Sequence, residues 1–285
     1  MGAAANTRKN PFTLVRGAAT RILVLNPNSS QSMTDGMRSI IDTVGLPHST
    51  EIYTYTAPAT SPASINDDKD LKDSTEAVVK DPDLRDGAVG DFFDGTLVAC
   101  YSVHPLVTIL HQANPHHTTI TGIFEASILT ALSLLRGPCE KWGIVTTGKF
   151  WEEHLTAGVN EFLGTTSESK TNTRFAGVQS TGLNASDFHG GLDPAFIREK
   201  LKEATKRLLV EGEKDGSQAT VIVMGCAGMA GLEDIIREAA QEHNGKEFAY
   251  SVLHVVDGVR AGIMQMDQII RNKRLRPGSN PTSLE

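Results

Sequence analysis

The chain has 285 residues, with 34 Asp and Glu against 27 Lys and Arg, a formal net charge of −7. That length suits one large domain or two small ones, and the 39% apolar share suits a globular core. The acidic balance, with no Lys/Arg stripe, excludes a nucleic-acid partner and gives no attraction to an anionic membrane. No apolar run is long enough to span a bilayer; the best, residues 96–110, is interrupted by His104 and Pro105.

Residues 1–20 carry Arg8, Lys9 and Arg16 and no acid, and lack the compact apolar block of a secretory signal. They read as a disordered extension. Residues 21–25 then form a buried-strand candidate that runs into Asn26-Pro27-Asn28-Ser29-Ser30, a turn whose hydroxyls can cap the next helix. Residues 51–56 read as a strand, 57–68 as a Pro/Ser/Asp-rich loop, and 70–89 as a helix broken near Asp81-Pro82. A strand over 95–99 ends at Cys100; residues 105–112 are a short helix, 118–123 a strand and 125–136 a helix. The second part repeats the rhythm: strand 142–145, helix 150–162, a polar loop over 164–172, strand 174–178, helix 194–211, strand 219–224 ending at Gly225-Cys226, and helix 232–240. A last strand is expected over 249–253 and a last helix over 255–270, with a flexible tail over 271–285.

Strands alternating with helices predict an α/β fold: two similar Rossmann-like domains, each with a parallel four-stranded sheet, related by a pseudo-two-fold axis with the active site in the cleft between them. The first half takes residues 21–123 and 249–270, the second 124–248. The chain also echoes itself. Phe93-Asp94-Gly95-Thr96-Leu97-Val98-Ala99-Cys100 is echoed by Gln218-Ala219-Thr220-Val221-Ile222-Val223-Met224-Gly225-Cys226, the cysteines lying 126 residues apart.

One cysteine after a strand is ordinarily a small inert hydrophobe. Two at matching strand ends of two half-repeats point to one cleft, because parallel sheets bind ligands at the carboxyl ends of their strands. Cys100 precedes Tyr101-Ser102 and Cys226 precedes Ala227-Gly228. Backbone N–H groups in those turns are expected to lower the thiol pKa values. A thiolate on one face of a stereocentre and a thiol on the other is what inversion of a carbon acid requires.

Together, Asn26-Pro27-Asn28-Ser29-Ser30, Ala99-Cys100-Tyr101-Ser102 and Gly225-Cys226-Ala227-Gly228-Met229, in this order, resemble the Asp/Glu/hydantoin racemase superfamily, nearest to its hydantoin and allantoin branch with its fungal relatives. The resemblance covers residues 21–270. It implies two α/β domains, no cofactor, and Cys100 and Cys226 as the proton-transfer pair. It implies substrate contacts from Asn26, Tyr101, Ser102, Thr146, Thr147, Ala227 and Gly228. The chain departs from the family at His104, where bacterial members often carry an acid. Glu125 matches a family pattern and is read as a helix cap.

The expected activity is therefore racemisation of a small carbon acid, a 5-substituted hydantoin or allantoin before a free amino acid, in ureide catabolism. A decarboxylase or cis-trans isomerase of the same superfamily is a rival, and a non-catalytic binding relative another. Three cysteines without paired spacing fit a reducing cytosol. The expected partner is the small-molecule substrate, with a homo-oligomer left open.

Other signals carry less. Gly143 to Phe150 nearly spells a P-loop, but Phe150 stands where Ser or Thr must bind magnesium. Gly225, Gly228 and Gly231 have the wrong spacing for a dinucleotide fingerprint. His111, His116 and His117 lack a neighbouring ligand set and read as solvated, so no metal is expected. His104, four residues after Cys100, could make a Cys-His nucleophile, which would leave the second cysteine idle. Cys139 reads as a spare thiol, and Trp142 and Trp151 as packing.

Overall fold

The computed structural model describes residues 13–16, 20–46, 49–85, 89, 92–114, 118–165 and 172–275. Buried runs of branched residues fix the strands. In β2 (Thr20–Asn26) and β4 (Gly95–Val98), Ile22, Val24 and Leu97 face one side, while Leu23, Leu25 and Val98 face the other. In β6 (Glu140–Thr146) and β8 (Gln218–Gly225), Ile144, Val221 and Val223 alternate in the same way with Val145, Ile222 and Met224. Both faces of each sheet are thus apolar, as a sheet covered by helices on both sides requires.

The first sheet has the order β1-β3-β2-β4-β5 and the second β7-β6-β8-β9. The remaining strands are β1 (Thr13–Arg16), β3 (Thr50–Thr56), β5 (Thr119–Gly122), β7 (Phe175–Ser180) and β9 (His254–Asp257). Apart from β1, both sheets are parallel and share one order: second strand, first, third, fourth. The repeat in the sequence is therefore a repeat in topology. Each half reverses direction between its first and third strands, and such a switch point opens a crevice at the carboxyl ends. Cys100 follows β4 and Cys226 follows β8, the third strand of each half.

The helices of the first half are α1 (Gln31–Ile41), α2 (Asp68–Lys80), α3 (Pro82–Arg85) and α4 (Pro105–Ala113). Those that follow are α5 (Ile123–Leu134), α6 (Phe150–Phe162), α7 (Pro194–Gly212), α8 (Glu233–Asn244) and α9 (Gly258–Arg274). The expected break at Asp81-Pro82 separates α2 from α3. Both α5 and α9 pack against each other between the sheets, α5 reaching β8 and β9 and α9 reaching β4 and β5. Ile123, Phe124, Ile128, Val259, Ile263 and Met266 join Ile22, Leu97, Ile144 and Val223 in one apolar layer. Each such side chain contributes about 1.5–3 kcal/mol on full burial.

Four sequence expectations change. Residues 13–16, assigned to the disordered extension, form β1, which pairs antiparallel with β3 at the sheet edge. Residues 249–253, expected as the last strand, belong instead to a π-helical turn (Phe248–Val252) and its exit. Arg237 Nη1 donates to the carbonyls of Ala249 and Leu253, at 2.6 and 3.1 Å, groups a strand would have used in a ladder. The true last strand, β9, joins the second sheet, so of residues 249–270 only α9 packs on the first. α9 also continues into the expected tail, to Arg274, whose guanidinium donates to Asp94 and Thr20.

A Cβ built on Gly262 would lie 2.6 Å from Leu97 Cδ1, so this glycine lets α9 rest on β4. Gly262→Val is expected to cost about 1–3 kcal/mol by overpacking. Urea unfolding measures this, and an unchanged midpoint would show that α9 has slack there.

Candidate active site

Asn26 ends β2 and is buried. Its Nδ2 lies within donating reach of Asn28 Oδ1 at 3.0 Å, Thr34 Oγ1 at 3.0 Å and the Ser30 carbonyl at 3.2 Å, and its Oδ1 accepts from the Asn28 amide at 3.2 Å. Asn26 thus knots the turn rather than facing a ligand. Asn28, two residues on, reaches the cavity; its Nδ2 has the Met33 sulfur at 3.2 Å, a weak acceptor. Ser61 Oγ donates to the Pro27 carbonyl and Ser29 Oγ to the Ser61 carbonyl, at 2.6 and 2.9 Å, which staples the loop after β3 to this turn. The loop delivers Ile65 to the same cavity.

Cys100, Tyr101, Thr147, Cys226, Ala227 and Gly228 line that one cavity, with Ala99 and Gly225 beside the cysteines. The expected residues Asn26, Ser102 and Thr146 do not. Thr146 Oγ1 donates to the Gly225 carbonyl at 2.8 Å, which ties the end of β6 to the strand that carries Cys226. Met33, Trp151 and Ala185 complete the wall together with Asn28 and Ile65. Sequence reading passed over these five. Asn28 lies inside the first motif and Trp151 in the first turn after Thr146-Thr147, so both had a positional signal; Met33, Ile65 and Ala185 had none.

The cavity measures about 30 Å³, room for about two waters. Pockets for drug-sized ligands run to several hundred Å³, so a ring-sized substrate enters only as the walls part. Both cysteines are only partly exposed there, so a thiolate would be poorly hydrated. Burial accordingly pushes the Cys100 thiol up to about 12 and the Cys226 thiol up to about 11. The expectation of lowered thiol pKa values is overturned by desolvation, which outweighs the local donors. Those donors are present: Ser102 Oγ to Cys100 Sγ at 3.4 Å, and the Gly228 amide to Cys226 Sγ at 3.3 Å.

His104 is not a base for Cys100. It caps α4, its Nδ1 accepting from the Leu106 amide at 3.3 Å, while Nε2 pairs with Ser74 Oγ at 3.2 Å. Burial drives its pKa down to about 3, so it is a neutral structural imidazole. Glu125 sits in the first turn of α5, where burial raises its carboxyl and the Glu125 and Gly122 amides oppose that rise. Its Oε2 is buried without a hydrogen-bond partner among the described residues, so the expected capping role is not evident in its contacts. Among the described residues, no group of three or more His, Cys, Asp or Glu could hold a metal ion; His116 and His117 lie outside them. Gly143, in the near P-loop, lies inside β6.

A sequence model described as Asp/Glu/Hydantoin racemase matches residues 22–266. The chain belongs to that racemase family. Uncharacterized protein C1F7.10 of Schizosaccharomyces pombe is 31% identical over 255 residues, 88% of this chain and 92% of its own. Protein DCG1 of Saccharomyces cerevisiae is 31% identical over 231 residues, covering 78% and 88%. Among solved structures, an allantoin racemase from Klebsiella pneumoniae superposes with a TM-score of 0.66 at 23% identity, over 90% of this chain and 89% of that one. The glutamate racemase RacE1 of Bacillus anthracis gives 0.58 at 14% identity, over 90% and 84%. The racemase fold expected from sequence is the fold observed. No helix among the described residues is long and apolar enough to cross a membrane.

The depressed His104 has a measurable consequence. Its folded pKa lies below the ordinary 6.5, so the unfolded chain binds a proton that the folded chain refuses. Stability is full above pH 6.5 and falls by about 1.4 kcal/mol per pH unit towards pH 3 through this group. His104→Asn, which keeps an acceptor for the helix cap, is expected to flatten that part of the profile. Denaturation midpoints between pH 7 and pH 4 measure the difference; parallel slopes would mean that His104 titrates freely.

Proposed function

We propose that this family member is a racemase that inverts a carbon-acid stereocentre by proton transfer between Cys100 and Cys226. The observation that carries this reading is that the two thiols end equivalent strands of two halves and line one cavity. One thiolate takes the proton from carbon, forming S–H while the electron pair passes to the adjacent carbonyl as an enolate. The other thiol delivers its proton to the opposite face and becomes the thiolate. Solvent exchange restores the starting distribution. Thr147 and Asn28, polar residues of the cavity wall, are the groups we assign to the enolate oxygen, the Gly228 amide being engaged by Cys226.

The favoured substrate class is a neutral ureide ring, a 5-substituted hydantoin or allantoin. Support comes from the cavity wall: besides Cys100, Cys226 and Tyr101, none of its residues can ionise. A free amino acid would bring a buried ammonium and carboxylate with no countercharge, a costly burial. A ring of amide edges needs only the donors and acceptors present.

Cys100→Ser and Cys226→Ser are each expected to lower racemisation by about 10²–10⁴-fold. The assay follows optical rotation and deuterium uptake at the stereocentre in D₂O, with single enantiomers of allantoin, hydantoins, aspartate and glutamate. No uptake with any of them would sink the racemase reading; full activity in either variant would sink the two-thiol mechanism.

With free-enzyme thiols raised to about 11 and about 12, the reactive thiolate is scarce at neutral pH. Enzymatic kcat/KM, corrected for background exchange, is therefore expected to climb about tenfold per pH unit from pH 7 to pH 9. A plateau below pH 8 would show that a different group supplies the base.

A further inference from the structure

The two thiols have matched positions but unmatched partners. Cys226 Sγ accepts from a backbone amide, Gly228 N–H at 3.3 Å, in the short 3₁₀ turn Ala227–Met229. An amide can only donate, and its place is fixed by the turn. Cys100 Sγ instead faces the Ser102 hydroxyl at 3.4 Å. A hydroxyl rotates and can donate to a thiolate or accept from a thiol. Ser102 is wholly buried and is not part of the cavity wall, so it touches the sulfur and not the substrate.

We propose that Ser102 is a positioning residue whose hydroxyl donates to Cys100 Sγ and gives its thiolate a weak, movable support, while the fixed Gly228 amide makes Cys226 the thiol that ionises first, leaving Cys100 as the resting acid. The inference rests on the two-thiol reading for its meaning in turnover. Its chemical content, the order in which the thiols ionise, stands apart from it.

The surrounding charges act in the same sense. The ionisable groups that bear on Cys100 are Cys226, across the cavity, and Glu125, from α5, and both oppose its thiolate. Burial is the dominant opposing influence on Cys226, relieved by the Gly228 and Met229 amides. His104, the nearest imidazole in sequence, stays neutral and is occupied by Ser74 and Leu106. The first proton abstraction by resting enzyme then falls to Cys226, and Cys100 reprotonates from the far face.

Steady-state rates hide this asymmetry. Two enantiomers are equal in free energy, so kcat/KM must be equal in both directions. Thiol reactivity reads it directly, because the thiolate is the nucleophile. The experiment is timed alkylation of the full chain with iodoacetamide between pH 7 and pH 10, each cysteine followed by peptide mass. Exposed Cys139 reports reagent quality, and both site thiols share one cavity and so one access route.

In the wild type, Cys226 is expected to react several-fold faster than Cys100 at a given pH, because a fixed amide donates to its sulfur. Ser102→Ala should slow Cys100 several-fold and move its profile to higher pH, leave Cys226 unchanged, and be restored by Ser102→Thr. A role limited to packing predicts the reverse, since loss of the hydroxyl opens space beside Cys100 and would speed its labelling. Cys100 reacting as fast as Cys226, or failing to slow in Ser102→Ala, overturns the proposal; the wild-type comparison holds even if a variant does not fold. If labelling behaves as expected but no substrate exchanges deuterium, the functional reading fails and the ionisation order stands.

Discussion

The apolar layer between the two sheets holds the rest of the structure in place. Helices α5 and α9 lie within it, and side chains from β2, β4, β6 and β8 close on them from both sides. The layer sets the distance between the halves, and so fixes how near the carboxyl ends of β4 and β8 come to each other. A cysteine at each of those ends becomes a pair only because the layer brings them to one cavity. It also governs their chemistry, since the enclosure that unites the thiols strips water from them. Desolvation then exceeds what one hydroxyl and one or two amides can return.

Much of this was legible in the sequence for a physical reason. Buried parallel strands need apolar side chains on both faces, and that signal is strong in residues 22–25, 96–99 and 220–224. A helix with clear limits, such as α6 over Phe150–Phe162, was placed at its observed ends. The cysteines stood out because strand ends in a repeated α/β pattern are where ligands bind. The last strand was misplaced because His254–Asp257 is four residues long and its final residue already caps α9. The apolar run before it looked better as a strand, but Arg237, on α8, takes two of its carbonyls.

The site was legible in part. Which residue of Asn26-Pro27-Asn28 faces the cavity depends on a knot of hydrogen bonds, and no pattern of residue types states its direction. Asn26 is consumed by the turn and Asn28 is presented. Likewise Ser102 supports a sulfur and Thr146 supports a strand end, although each lies beside a wall residue in sequence. Motif adjacency came within two residues of the polar wall groups Asn28, Tyr101 and Thr147, but not of Met33, Ile65 or Ala185; the partners each polar atom finds decided its role. The sign of the thiol shift was missed for a related reason: nearby N–H groups can be counted in a sequence, but the volume of water left around a sulfur cannot.

The topology has one more implication. The chain passes between the sheets twice, from α5 into β6 and from β9 into α9, so the first half is completed by the last helix of the chain. Neither half closes its own inner face. A cut between residues 135 and 139 would leave each fragment with half of the central layer bare, and the N-terminal one without α9. The repeated order of strands looks like two modules, yet the shared layer makes each half depend on the other, so the two are expected to unfold together.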